Sequence, residues 1–285
     1  MMRSLFAAIS GLRVHQTMLD VTANDIANVN TIGFKGSRIS FKDALSQLQA
    51  GASAPGGTLG GTNAEQIGLG VQIGSIQNQM GAGATQSTGN PFDVAVQGTG
   101  WFRVAGLAAG GGFGTVNYTQ AGNFNTDSAG DLVTQEGMYV LGHAATAQGP
   151  PPVFGTTDSK ITVPATATSV SVGQDGVISY IDSTTGATTV LAQITLAKFP
   201  NETGLMSISG TKFLESPNSG APVVGVPGDT NGLGTLAAGS LEMSNVDLAQ
   251  EFTNMIEAQR GFQANGRVIS TADQMLQDLV NLGRG

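Results

Sequence analysis

The sequence predicts an α+β protein, with N- and C-terminal α-helices pairing as a coiled-coil-like domain around a mainly antiparallel β central body. Three observations predict it. Leu5, Leu12, Leu19 and Ile26 recur every seven residues at the start, and Leu241, Leu248, Met255, Phe262, Ile269 and Leu276 do so at the end. That spacing keeps one apolar seam of a helix facing a partner. Between them, roughly residues 50–240 are rich in Gly, Thr and Val and alternate with the period of strands. Charged residues are only 11% of the chain, against about 25% in ordinary domains, so subunits could pack closely while desolvating few charges. Assembly with copies of itself is the first expectation. A plain secreted β-rich protein, such as an adhesin whose helices merely dimerise, fits the composition equally well.

The expected regions are a terminal helical assembly domain (residues 1–35 with 241–285), an extended linker and hairpin region (36–90), and a central β domain (91–240). Residues 3–29 read as one amphipathic helix carrying the leucine series. Gly11 is a weak point inside it, costing about 1 kcal/mol relative to alanine, and Asn28, Asn30 and Gly33 stop it. Phe34 to Leu48 suggests a short strand followed by a helix. Gly51–Gly61 is a Gly/Ala/Ser/Pro linker, and Val71, Ile73 and Ile76 mark a strand. Asp93–Val96 and Trp101–Val104 flank Gly98-Thr99-Gly100, a hairpin signature.

Tyr118 to Phe124 and Leu132 to Leu141 continue the pattern, with turns at Asp127–Gly130 and Glu136-Gly137. Gly110–Gly112 and Pro150–Pro152 mark loops. Val170 to Ile181 reads as two strands around Gln174-Asp175-Gly176, an Asp-Gly turn, and Val190 to Phe199 as a further strand. Ser216 to Gly239 is turn-rich and irregular. The last helix is expected from Ser244, with Asp247 three residues on as a capping partner, to Leu282, with Gly283 as its glycine cap. Its roughly 38 residues would span about 57 Å. Its second seam is half polar: Phe252 and Val280 are apolar, whereas Asn245, Gln259, Gly266 and Asp273 are not.

The net charge of −8 and pI near 4.6 argue against nucleic acid, which needs clustered Lys and Arg. Residues 1–42 hold five basic and two acidic side chains, and residues 241–285 hold six acidic and three basic, so opposite signs favour pairing of the two ends. With no cysteine, disulfides, thiol catalysis and Cys-based zinc sites are excluded. No run approaches the ~20 apolar residues of a membrane span. The opening Met1–Ile9 mimics a signal peptide, but its apolar stretch ends at Ser10-Gly11 without a cleavage site.

Catalytic motifs are absent, and no cofactor or metal site is read. His15 and His143 have no second His or Cys at ligand spacing. Asn125–Asp131 hints at a calcium loop but lacks the bidentate Glu of loop position 12, so an Asp/Gly turn is the reading. Trp101-Phe102 belongs to a strand core.

Ala27–Lys35 (ANVNTIGFK) resembles the Ala-Asn-x-x-Thr-x-Gly-Phe-Lys signature of bacterial flagellar rod and hook proteins. Gly89–Val104 and Tyr118–Gly142 resemble that family's internal β segments, and Leu241–Leu282 is similar to its C-terminal assembly helix. Within the family, Glu242–Leu248, Glu251–Ile256, Arg260–Asn265 and Ser46–Gly74 look most like a hook protein, while the length of the chain suits the distal rod. The resemblance implies a short hook subunit, with the distal rod as the alternative. It implies a helical tube of repeated copies that meets rod, hook-cap and hook–filament junction proteins and carries torque from rod to filament. It also implies export without cleavage through the flagellar type III apparatus to the extracellular side. The residues it implicates in assembly are Leu5, Leu12, Leu19, Ile26, Asn28, Gly33, Phe34, Leu248, Phe252, Met255, Phe262, Ile269 and Leu276.

Overall fold

The structure, a computed structural model, describes residues 2–56, 60–108, 112–147 and 152–283. The Gly51–Gly61 linker and the loops expected at Gly110–Gly112 and Pro150–Pro152 fall partly outside the described residues. The chain divides into two compact units. One comprises Met1–Ala27, Ser37–Asn78 and Val246–Gly285; the other comprises Asn28–Gly36 and Gln79–Asn245. Residues 37–78 thus belong with the terminal helices, and the signature loop belongs with the β body.

In the first unit, helix α1 (Met2–Ala27) packs along helix α2 (Leu248–Leu282) and also contacts a two-stranded antiparallel sheet, Ser37–Asp43 with Val71–Asn78. The sheet is tied to α1 where the Val71 N–H donates to Ser10 Oγ at 3.2 Å. A side chain at Gly70 would run into that same oxygen. A second pair, Ser46–Ala50 with Glu65–Gly68, extends the arm. The helix expected after the strand near Ile39 is therefore replaced by a second strand, because Ser46–Ala50 finds a cross-strand partner in Glu65–Gly68.

α2 begins later than expected. Asp247 is its N-cap, its carboxylate accepting from the Ala249 and Gln250 N–H groups at 2.9 and 3.4 Å. Ser244 lies before the helix, and the neighbouring Asn245 is held in β-body hydrogen bonds. Gly283 is the C-cap, but in right-handed geometry (φ −79°) and not the left-handed form that would require glycine.

The second unit is built on one large antiparallel sheet. Its main path runs through Ala167–Val172, Val177–Asp182, Thr188–Ile194, Tyr139–Ala147, Trp101–Leu107, Phe113–Thr119, Lys212–Leu214 and Met206–Ser207. The Asp-Gly hairpin joins Ala167–Val172 to Val177–Asp182 as expected, with Gly176 at φ +78°. Phe102, Phe124, Leu132, Ile161, Ile178, Ile194, Leu196 and Leu236 form the main core. Trp101, Tyr118, Phe199, Leu205 and Phe213 form a second cluster, with Trp101 edge-on to Phe213 at 5.0 Å.

Several strand expectations change. Val94–Gln97 and Trp101–Leu107 do not form a hairpin. The first pairs with Thr235–Ala238, and the second with Phe113–Thr119, Tyr139–Ala147 and Leu196–Lys198. Gly98 and Gly100, at φ +110° and +153°, turn the chain out of the first ladder, and Thr99 O accepts from the Gly234 N–H at 2.7 Å instead. The strand expected from Tyr118 to Phe124 ends at Thr119, whose hydroxyl accepts from the Ala121 N–H. The strand expected from Val190 to Phe199 breaks at Thr195, whose buried hydroxyl donates to Leu141 O at 3.2 Å. Ser216–Gly239, expected to be irregular, contributes two short strands, Val223–Gly225 and Thr235–Ala238.

Candidate functional site

The residues expected to act in assembly fall in two places, one in each unit. In the helix pair, two close approaches define the geometry. A side chain at Gly11 would lie 2.6 Å from Asn265 Nδ2, and one at Gly261 would run into the His15 ring. As the first helix advances from 11 to 15, its partners retreat from 265 to 261, and Asp25 further on feels the charge of Glu251 near the start of α2, so α1 and α2 run antiparallel.

Glycines at Gly11 and Gly261 let each helix receive a polar side chain of the other. Gly11, read from sequence as a weak point, is a point of contact. The most buried side chains follow the same line: Ala8, Val14, Thr22 and Asp25 on α1, Ala258 and Ala272 on α2. The apolar sevens flank that line. Leu5, Leu12, Leu19 and Ile26 are half-buried, as are Met255, Ile269 and Leu276. Leu248, Phe252 and Phe262 remain 40%, 51% and 40% exposed, so the pair leaves apolar surface uncovered. No ion pair joins α1 to α2 among the described residues.

Asp25 is the one carboxyl sunk in this line. One oxygen accepts from the Ser37 N–H at 3.0 Å; the other has no hydrogen-bond partner. Burial raises its pKa to about 6, the Ser37 N–H opposes the shift, and the Glu251 charge adds to it.

Asn28, Gly33 and Phe34 sit in the signature loop of the second unit. Asn28 O accepts from the Thr31 N–H at 3.0 Å and Phe34 donates to Thr31 O at 3.3 Å, closing a tight turn. Gly33 takes φ +67°, donates to Glu242 O at 2.9 Å, and lies so close to Ala121 that a Cβ would meet its nitrogen at 2.6 Å. Both the backbone angle and the space therefore require glycine.

The next residue but one carries the anchor. Lys35, buried, pairs with buried Glu242 at 2.7 Å and donates to Gly81 O at 2.9 Å. Glu242 also accepts from the Gly83 N–H at 2.8 Å. Asn245 completes the knot, accepting from the Gly36 N–H and donating to Gln79 O and Gly81 O. Spacing alone did not mark Glu242 and Asn245. The signal was a basic residue ending the N-terminal motif and an acid opening the C-terminal one, with their separation in sequence hiding the pair.

Three family models match the chain: "Flagella basal body rod protein" over residues 5–35, "Flagellar hook protein FlgE/F/G D1 domain" over 95–180, and "Flagellar basal body rod FlgEFG protein C-terminal" over 237–282. The flagellar basal-body rod protein FlgG of Bacillus subtilis is 48% identical over 285 residues, covering all of both chains. FlgG of Borreliella burgdorferi is 36% identical over 286 residues, again covering all of both. The flagellar hook protein FlgE of the same organism is 30% identical over an alignment of 447 residues, covering 99% of this chain and all of the hook protein. The chain belongs to the bacterial flagellar hook and rod protein family.

Proposed function

We propose that this chain is a structural subunit of the flagellar rod, polymerising through its terminal helices into a tube. The observation that carries the reading is length. Rod proteins match it end to end over 285 and 286 residues, whereas alignment with a hook protein has to open to 447. Sequence motifs such as Gln263-Ala264-Asn265 favoured the hook; agreement over the whole chain outweighs those short blocks, and the rod replaces the hook as the main reading. The uncovered apolar residues of the helix pair support assembly, since large apolar surface left in a single copy marks an interaction site. Further copies, neighbouring rod and hook components and the flagellar export apparatus are the expected partners, and export proceeds without cleavage.

Basal bodies isolated from a strain lacking this chain test the assignment. The rod reading predicts particles with a shortened rod and no hook. A complete rod that lacks only the hook would restore the hook reading.

A further inference from the structure

Asparagine followed directly by glycine occurs twice in the chain, at Asn231-Gly232 and Asn265-Gly266. In such a pair the glycine amide nitrogen can attack the asparagine side-chain carbonyl carbon. A C–N bond forms, the carboxamide leaves as ammonia with the amide proton, and a five-membered imide remains. Water then opens the imide at one carbonyl or the other, giving aspartate or isoaspartate. Glycine, without a Cβ, crowds this attack least and turns most freely towards it. The structure separates the two pairs. Asn265 lies inside α2, where the helix ties each backbone N–H four residues back, and its side chain fills the space beside Gly11. Asn231 and Gly232 are both exposed, in the turn that precedes the Thr235–Ala238 strand, with Gly232 at φ +72°.

We propose that Asn231-Gly232 is a self-modification site, where the chain converts Asn231 to aspartate and isoaspartate, and that Thr99 governs the rate. Within the turn, the Asn231 carboxamide donates to Asp229 Oδ2 at 2.7 Å. The Gly232 N–H, which supplies the attacking nitrogen, donates to Asp229 O at 3.2 Å. From outside the turn, Lys198 Nζ donates to Asn231 O at 3.5 Å. Thr99 grips more closely: its Oγ1 donates to Gly232 O at 2.8 Å, and its carbonyl accepts from the Gly234 N–H at 2.7 Å. Fixing Gly232 O restrains the swing that would bring the Gly232 nitrogen onto the Asn231 carbonyl carbon. Conversion would replace the donor beside Asp229 by a second carboxylate, setting like charges together. Isoaspartate would also lengthen the backbone by one carbon just before buried Leu233 and the strand that pairs with Val94–Gln97. The site does not depend on the polymer reading.

The full chain, kept dilute at mildly alkaline pH, is followed by peptide mapping in a mass spectrometer. Isoaspartate is followed in parallel by methyl transfer from S-adenosylmethionine, using an isoaspartyl methyltransferase as the probe. The expected result is an amide-to-acid mass gain at Asn231 ahead of Asn265, with methyl acceptance that Asn231→Gln abolishes. Thr99→Val should raise the rate about fivefold, the worth of one ordinary hydrogen bond. Thr99→Ser, which keeps the donor, should return it to that of the unsubstituted chain. Thr99 is itself exposed, so both variants keep the body folded, which the emission of buried Trp101 checks. Conversion at Asn265 before Asn231 would overturn the site. So would an Asn231 still intact in both the unsubstituted chain and Thr99→Val when a free peptide of residues 229–233 has converted. A Thr99→Val rate equal to that of the unsubstituted chain would overturn the role of Thr99.

Discussion

Replacing Lys35 by Met should destabilise the β body strongly, because it leaves Glu242 charged, buried and short of its main partner. The side chains of the pair are 0% and 3% exposed and meet at 2.7 Å, so water cannot replace the lost ammonium. Breaking a buried pair from one side costs about 3–5 kcal/mol, and Gly81 O loses its Lys35 donor as well. For a body of this size, each kcal/mol moves Tm by about 2–4 °C, giving a fall of roughly 6–20 °C. Trp101, the single tryptophan, lies buried in that body, and its emission during thermal unfolding reports the body without interference from the helices. The double variant Lys35→Met with Glu242→Leu removes both charges and should recover part of the loss. A deficit of about 1–3 kcal/mol remains from the Gly83 N–H, which loses its carboxylate partner. If Lys35→Met lowers Tm by less than about 2 °C, or if the double variant is as unstable as the single, the pair is not the anchor of the signature loop.

Gly33→Ala should also destabilise the body, since it meets both a positive φ and the Ala121 backbone at 2.6 Å; a loss of at least about 1 kcal/mol in urea unfolding followed by Trp101 would show it. Gly261→Leu should instead loosen the helix pair by driving a side chain into His15, seen as faster proteolysis of the termini with unchanged Trp101 emission; protection equal to the unsubstituted chain would refute the close approach. Asp25 has a folded pKa of about 6, above its ordinary 3.8. Its contribution to helix pairing is therefore fully present below about pH 4 and lost as pH rises through 6. Asp25→Asn should flatten that dependence in helix melting followed by circular dichroism between pH 4 and 7. Asp158 behaves oppositely: the Arg103 guanidinium, bonded to both its oxygens, holds its pKa below 3.8. The body should lose that stabilisation as pH falls below about 4, and Asp158→Asn should remove the effect.

The helices were legible because seven-residue periodicity survives over many turns, and α1 ends within two residues of its expected stop. Their contact was not. Leucines every seventh residue pointed to a leucine seam, yet the close approach is made by Gly11, Gly261, Ala258 and Ala272. Small residues carry little hydrophobic signal, so what marks them is the space they leave. In the β body, the turns at Asp127–Gly130, Glu136-Gly137 and Gln174–Gly176 could be read because Gly130, Gly137 and Gly176 adopt positive φ. Which strands pair could not be read there. Gly98-Thr99-Gly100 looks like a hairpin locally, and only the distant Thr235–Ala238 ladder, more than 130 residues away, explains why it is not one. The anchor was hidden for the same reason. Lys35 and Glu242 stand 207 positions apart, and charge counts at the two ends suggested diffuse attraction where the fold makes one buried pair.

Electron microscopy of the concentrated chain, intact and lacking residues 246–285, tests the central claim that the paired terminal helices build a polymer. The account predicts tubes from the intact chain and none from the truncated one, whose Trp101 emission and thermal transition stay those of a folded β body. Tubes from the truncated chain, or an intact chain that stays monomeric at every concentration, would contradict it.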